Sequence, residues 1–92
     1  MMAKKKVKYN KTEVGNLPND KPVVYRINTE GGKPNYVGVA KRGRVQARVR
    51  EHLGRIPGAT VKIKQFPSIS EARKNEARVI KTNKPKYNNQ GK

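Results

Sequence analysis

The sequence contains no cysteine and no long apolar run. The lack of cysteine excludes disulfide bonds and thiolate metal ligands, and it fits a reducing compartment. No apolar run approaches the ~18 residues of a membrane-spanning helix, and no signal-peptide core follows the basic start. Hydrophobic residues make up only 33% of the 92 residues. These absences predict a cytoplasmic protein with one small domain, a modest core and no membrane partner.

Acidic residues are also scarce, whereas basic residues are abundant. The chain has 23 Lys and Arg against six Asp and Glu, a formal net charge of +17. So many positive side chains repel one another in a compact fold and attract polyanions, of which nucleic acid is the leading candidate. A ribosomal or packaging protein would show the same balance, so charge alone does not separate a binding protein from an enzyme.

The first 21 residues are rich in lysine and poor in apolar side chains. Gly15 and Pro18 interrupt this segment, which predicts a flexible basic N-terminal arm over residues 1–21. Either the arm is a solvated tail or it contacts phosphates. A folded domain is predicted over residues 22–92. The lysines of the arm are Lys4, Lys5, Lys6, Lys8, Lys11 and Lys21.

The remaining sequence alternates between strand and helix patterns. Residues 23–27 and 36–40 are rich in β-branched and aromatic side chains and flank a Gly-Gly turn, which predicts an antiparallel hairpin. Residues 43–54 have helical apolar spacing and end at a glycine. Residues 60–66 predict a further strand, and Ser68 with Glu71 forms a capping-box signature for a helix that continues to about Thr82. The predicted order is β-β-α-β-α, an α+β fold.

Glu76 is the sharpest anomaly in this pattern, because it projects from the apolar stripe of the last predicted helix. A buried carboxylate is costly unless it is paired or binds a metal. One interpretation is an ion pair with Arg48 or a nearby lysine. The favoured interpretation is a ligand of Mg²⁺, or of Mn²⁺, whose remaining positions are filled by waters and a phosphate oxygen.

Arg48 and His52 lie four residues apart and therefore share a face of the preceding helix. Arg48 can hold a phosphate and offset transition-state charge, and His52 can relay a proton near neutral pH. Alternatively, Arg48 is an ordinary surface arginine and His52 is favoured by the helix dipole at a C-terminus. The nearby basic residues are candidate nucleic-acid contacts: Lys41, Arg42, Arg44, Arg50 and Arg55.

Tyr25 and Tyr36 lie in the two strands of the predicted hairpin. They either pack in a core or place a phenol at a phosphate or an attacking water. An ordinary Tyr pKa of about 10 means that a neighbouring metal ion or arginine must stabilise a phenolate. Asn88 is a polar loop residue without a signal of its own.

Taken in order, these residues resemble the motifs of the GIY-YIG nuclease domain over residues 21–90. Val23-Val24-Tyr25 and Tyr36-Val37-Gly38 are similar to the two name-giving motifs. The segment from Arg48 to His52 is similar to the R-x-x-x-H helix segment of the family. The resemblance implies a three-stranded antiparallel sheet flanked by helices, with one divalent metal and water attack on phosphate. It assigns catalysis to Tyr25, Tyr36, Arg48, His52 and Asn88, and the metal to Glu76.

The chain departs from the family pattern in two places. The first motif has Val-Val in place of Gly-Ile, and the segment between Tyr36 and Arg48 is longer than the pattern. Arg44 is therefore an alternative to Arg48, although only Arg48 keeps the spacing to His52.

The resemblance predicts a metal-dependent DNA endonuclease that is weakly sequence-specific or directed by DNA structure. The alternative is a non-catalytic nucleic-acid-binding protein, either ribosome-associated or architectural. Family members usually carry an added domain that selects the DNA target, which leaves room for a protein partner in that role.

Overall fold

A computed structural model describes residues 4–85 and residue 87, and shows helices on both faces of one antiparallel sheet. The sheet has four strands in the order β1-β4-β2-β3. It belongs to an α+β fold, as predicted, but with one strand more than predicted. The elements are β1 (Lys4–Lys8), α1 (Lys11–Val14), β2 (Val23–Asn28), β3 (Pro34–Ala40), α2 (Val45–His52), β4 (Thr60–Gln65) and α3 (Ile69–Asn83).

Strand β2 is central and is covered on both faces, so its apolar residues do not alternate with polar ones. Val23, Tyr25 and Ile27 belong to the core cluster that includes residues of α1 and α2. Val24 belongs to a second cluster, which includes Ala72 of α3. The sheet therefore separates two small cores, with α1 and α2 on one face and α3 on the other.

The additional strand, β1, corrects the prediction of a flexible arm over residues 1–21. Residues 4–8 pair antiparallel with β4, from Lys4 opposite Lys64 to Lys8 opposite Thr60. The segment that follows is also built into the fold, because Val14 and Leu17 are fully buried. The prediction failed because Val7 is the only apolar residue of β1, whereas lysines are common on edge strands, where they discourage association with other chains.

The predicted helices form close to their expected bounds. α3 begins after Ser68, whose side chain accepts a hydrogen bond from the Glu71 backbone at 3.3 Å, as the capping-box signature predicted. It ends at Lys84, which adopts the left-handed conformation before Pro85. α2 is shorter than predicted, ending at His52. Within the described part of the chain, no helix is long and apolar enough to cross a membrane.

Candidate active site at the edge of β3

Three aromatic rings meet where α2 ends above β2 and β3. Tyr25 comes from β2, Tyr36 from edge strand β3, and His52 is the last residue of α2. The ring centroids of Tyr36 and His52 are 4.5 Å apart, and Tyr25 lies 5.7 Å from His52 and 6.1 Å from Tyr36. The structure thus brings together three of the residues proposed from the sequence as catalytic.

The Tyr25 hydroxyl and His52 Nε2 form a hydrogen bond of 2.8 Å. Burial raises the pKa of Tyr25, and the neighbouring Tyr36 raises it further. Burial lowers the pKa of His52, and the positive charge of Arg48 lowers it further. At neutral pH the bond therefore joins a neutral phenol to a neutral imidazole, and the tautomer of His52 decides which group donates.

Gly38 makes room for the Tyr25 phenol. Tyr25 and Gly38 are opposite one another in the β2–β3 pairing, and the ring of Tyr25 lies against the Gly38 backbone. A Cβ at position 38 would lie 2.5 Å from the Tyr25 hydroxyl oxygen, a separation that real Cβ atoms do not show. The close backbone approach explains why a glycine stands inside a strand, where it otherwise costs stability.

Arg48 lies one helical turn before His52 and shares an acidic partner with Arg44. Its guanidinium is 3.5 Å from Glu51, and that of Arg44 is 4.0 Å from the same carboxylate. All three side chains are about half exposed, so these pairs contribute little to stability. Both arginines line a cavity of about 280 Å³ beside β3, together with Lys41 and Arg73.

Glu76 is half-buried on α3, and burial raises the pKa of its carboxyl group. The positive charges of Arg73 and Arg48 oppose this rise. Among the residues that the structure describes, none forms a hydrogen bond or salt bridge with the Glu76 carboxylate. Arg48 pairs with Glu51 instead, so the ion pair with Arg48 considered from the sequence is not formed.

An unpaired, half-buried carboxylate has the chemistry of a ligand for a hard divalent cation. No group of three or more His, Cys, Asp or Glu residues that could hold a metal occurs within residues 4–85 and 87. A metal at Glu76 would therefore take most of its ligands from water and a bound phosphate, which suits Mg²⁺. The residues present fit such an ion.

The other residues proposed from the sequence occupy several positions. Lys41 and Arg44 line the cavity beside Arg48. Arg50 lies on another side of α2, where its guanidinium approaches Gly15 after α1. Arg55 is exposed, and its charge helps to lower the pKa of His52. Arg42 is also exposed, and Asn88 lies outside the described residues.

Arg73 is a component of this region that the sequence analysis missed. It lies one turn before Glu76 on α3 and lines the same cavity as Arg48, although the two arginines come from opposite faces of the sheet. The available signal was its spacing, because residues three apart are neighbours on a helix. That signal was weak, since basic residues are frequent throughout α3.

Comparison with solved structures identifies similar folds. The chain is similar to the crystal structure of the GIY-YIG N-terminal endonuclease domain of UvrC from Thermotoga maritima bound to its catalytic divalent cation, magnesium. The TM-score is 0.64 and the identity 29%, over 77% of this chain and 86% of that one. A Tyr-to-Phe point mutant of that domain, also bound to the cation, matches at 30% identity and a TM-score of 0.62 over the same shares. Neither a family model nor a curated protein matches the chain.

Proposed function

The chain belongs to the GIY-YIG endonuclease-domain family, and from this premise we propose that it is a divalent-metal-dependent endonuclease that hydrolyses DNA. The proposal rests above all on Glu76, a half-buried carboxylate with a raised pKa and no ion-pair partner among residues 4–85 and 87. A simple binding protein has no need for such a group. Glu76 would hold Mg²⁺, with Mn²⁺ as a substitute, and the ion would supply positive charge to the phosphate and the leaving oxygen.

Arg48 would bind the scissile phosphate. Its contact with Glu51 is exposed and therefore easily exchanged for a phosphate oxygen. Its charge already acts on Tyr25, His52 and Glu76. A cation in this position stabilises the negative charge that develops as the phosphodiester is cleaved.

Tyr25 and His52 would together remove the proton from the attacking water. Burial keeps the Tyr25 phenol protonated, so a free phenolate is not available at neutral pH. The 2.8 Å bond allows a coupled transfer in which the Tyr25 oxygen accepts a proton from water while its own proton passes to His52 Nε2. His52 is suited to accept this proton because its lowered pKa keeps it neutral.

Tyr36 packs against His52 and would fix the orientation of the imidazole. Asn88, which lies outside the described residues, would support these catalytic residues, as its place in the family motif implies. We propose that cleavage is weakly sequence-specific or directed by DNA structure, with Lys41 and Arg44 contacting neighbouring phosphates. A protein partner would then supply target selection.

Glu76→Gln tests the proposal most directly. The variant should keep its fold and DNA affinity but lose Mg²⁺-dependent nicking of plasmid DNA. Glu71→Gln is the matched control, because Glu71 is an exposed glutamate in the first turn of the same helix and should leave nicking unchanged.

A second readout does not depend on activity. Titration of the ¹⁵N-labelled protein with Mn²⁺ should broaden amide resonances around Glu76 in the wild type and not in Glu76→Gln. Nicking by Glu76→Gln at the wild-type rate, or broadening centred elsewhere, would remove Glu76 from the metal site. Binding of DNA with neither broadening nor cleavage would favour the non-catalytic nucleic-acid-binding protein.

A further inference from the structure

A basic surface lies on the α3 side of the sheet, where α3 leaves β1 and β4 uncovered. α3 packs on β3 and β2. Beyond it, Lys6 of β1, Lys62 of β4 and Arg26 of β2 stand opposite one another in a row across three strands. Lys64 follows two residues after Lys62 on the same face. These four residues, here called the sheet patch, line a cavity of about 410 Å³.

The sheet patch concentrates like charges that the fold does not neutralise. Neighbouring strands are ~4.8 Å apart, so the cations of the row are held close together. Like charges directly opposite one another destabilise a sheet. The salt bridges within residues 4–85 and 87 join Arg44 and Arg48 to Glu51. None of the carboxylates in that part of the chain therefore lies within 4.0 Å of a sheet-patch cation. A bound polyanion would relieve this repulsion.

The composition of the surface indicates which part of a nucleic acid it contacts. Its aromatic neighbour, Phe66, is 4% exposed and lies beneath the Lys64 ammonium, 5.5 Å from it. The patch therefore presents cations without an open aromatic platform on which unpaired bases could stack. Such a surface suits the phosphate backbone of a duplex.

We propose that the sheet patch is a second surface that binds the backbone of duplex DNA, separate from the cleavage site. The choice of DNA rests on the proposed function. Asn75 lines the patch cavity, whereas its neighbour Glu76, about 100° further round α3, belongs to the candidate active site. α3 packs on β2 and β3, so it stands between the sheet patch, on β1, β4 and β2, and the cavity beside β3 that Arg48 and Arg73 line. The protein would thus hold one stretch of duplex at the patch while another phosphate occupies the site.

The test compares two variants that lose the same charge. Lys6→Gln/Lys62→Gln/Lys64→Gln neutralises the patch lysines, and Lys11→Gln/Lys21→Gln/Lys33→Gln neutralises three exposed lysines elsewhere. Binding to a fluorescently labelled mixed-sequence duplex is measured by anisotropy over a range of salt concentrations, with EDTA present to prevent cleavage. The patch variant should bind roughly tenfold more weakly or worse, with a salt slope shallower by about two to three. The control should stay within about twofold of wild type.

Cleavage then separates the patch from the active site. Single-turnover nicking at saturating protein should proceed at the wild-type rate in the patch variant. Equal weakening of both variants, a slower saturated rate in the patch variant, or weakening confined to a labelled single strand would each overturn the proposal. Circular dichroism checks folding, and Lys62→Gln alone, at an exposed position, replaces the triple variant if that fails to fold.

The binding measurement needs neither metal nor activity. A wild-type protein that binds duplex through the patch but never cleaves it would refute the nuclease and leave the patch standing. If the wild-type protein cleaves DNA but the patch variant binds duplex as tightly as wild type does, the patch is refuted and the nuclease stands.

Discussion

The hydroxyl of Tyr25 and Nε2 of His52 lie 2.8 Å apart, and both groups are neutral near pH 7. Tyr25 comes from the central strand and His52 from the last turn of α2, so the bond joins the sheet to the helix above it. In the tautomer in which Nε2 accepts the hydrogen bond, protonation of His52 would remove that acceptor, and in either tautomer it would place a cation near Arg48. The bond therefore links the chemistry of the site to pH.

We expect the free energy of unfolding to decrease as the pH falls through the ordinary His value of about 6.5. Folding lowers the pKa of His52, so the unfolded chain takes up the proton first and binds more protons than the folded chain. Urea unfolding at about pH 7.5 and about pH 5.5 should show a larger loss in wild type than in His52→Gln. Glu76 titrates in both proteins, so the difference between their losses in the free energy of unfolding gives the contribution of His52 alone. Identical losses would mean that His52 does not have a lowered pKa.

Gly38→Ala should disable the site through Tyr25. The new Cβ would force the phenol away from His52, and a displacement of ~1 Å at a catalytic group can cost about 10²-fold in rate. The strain should also lower the free energy of unfolding by about 1–3 kcal/mol. Gly31→Ala is the control, since its Cβ would meet no atom closer than 3.9 Å. A Gly38→Ala protein with normal nicking would show that the position of Tyr25 is unimportant.

Arg48→Ala should reduce the rate of cleavage, whereas Arg44→Ala should weaken binding. Arg48 acts electrostatically on Tyr25 and Glu76, so its loss should cost about 10²–10³ in single-turnover rate at saturating protein. Arg44 lines the same cavity and should be replaceable once DNA is saturating. If Arg44→Ala is instead the slower enzyme, the alignment across the longer segment after Tyr36 must shift, and Arg44 becomes the active-site arginine.

Leu17→Ala should lower the free energy of unfolding by about 2–5 kcal/mol, because Leu17 is only 1% exposed. The result would establish that the segment before Pro22 belongs to the core. Thermal or urea unfolding measures the effect, and Asn16→Ala, at an exposed position, should change stability by less than about 0.5 kcal/mol. If both variants change stability equally and by little, the result would instead support the prediction of a flexible arm over residues 1–21.

The central elements were predictable because each carries a strong local signal. β2 is rich in β-branched and aromatic residues, and α3 has both a capping box at Ser68 and an apolar stripe. The two tyrosines and His52 were predictable from the order of the motifs, although their contacts were not. Those contacts require the Tyr25 ring of β2 to lie over Gly38 of β3. This depends on how the two strands pair, and the sequence of either strand alone does not show it.

The remaining structure lacked local signals. β1 consists of four lysines and one valine, a composition that does not predict a strand. It forms a strand because it pairs with β4, and that long-range pairing cannot be predicted from five residues. The sheet patch has the same origin, because Lys6, Lys62 and Arg26 become neighbours only through strand order. Arg73 was hidden among other basic residues of α3.

The pairing of β1 with β4 also has a consequence for how the chain folds. Lys8 pairs with Thr60, so the first strand meets its partner across about fifty intervening residues. Contacts between residues distant in sequence generally form later than local ones, so we expect β1 to pair with β4 after the hairpin of β2 and β3 has formed. A lysine-rich strand remains soluble and repels other copies during this interval. The charges that obscured β1 in the sequence would thus protect the nascent chain from aggregation.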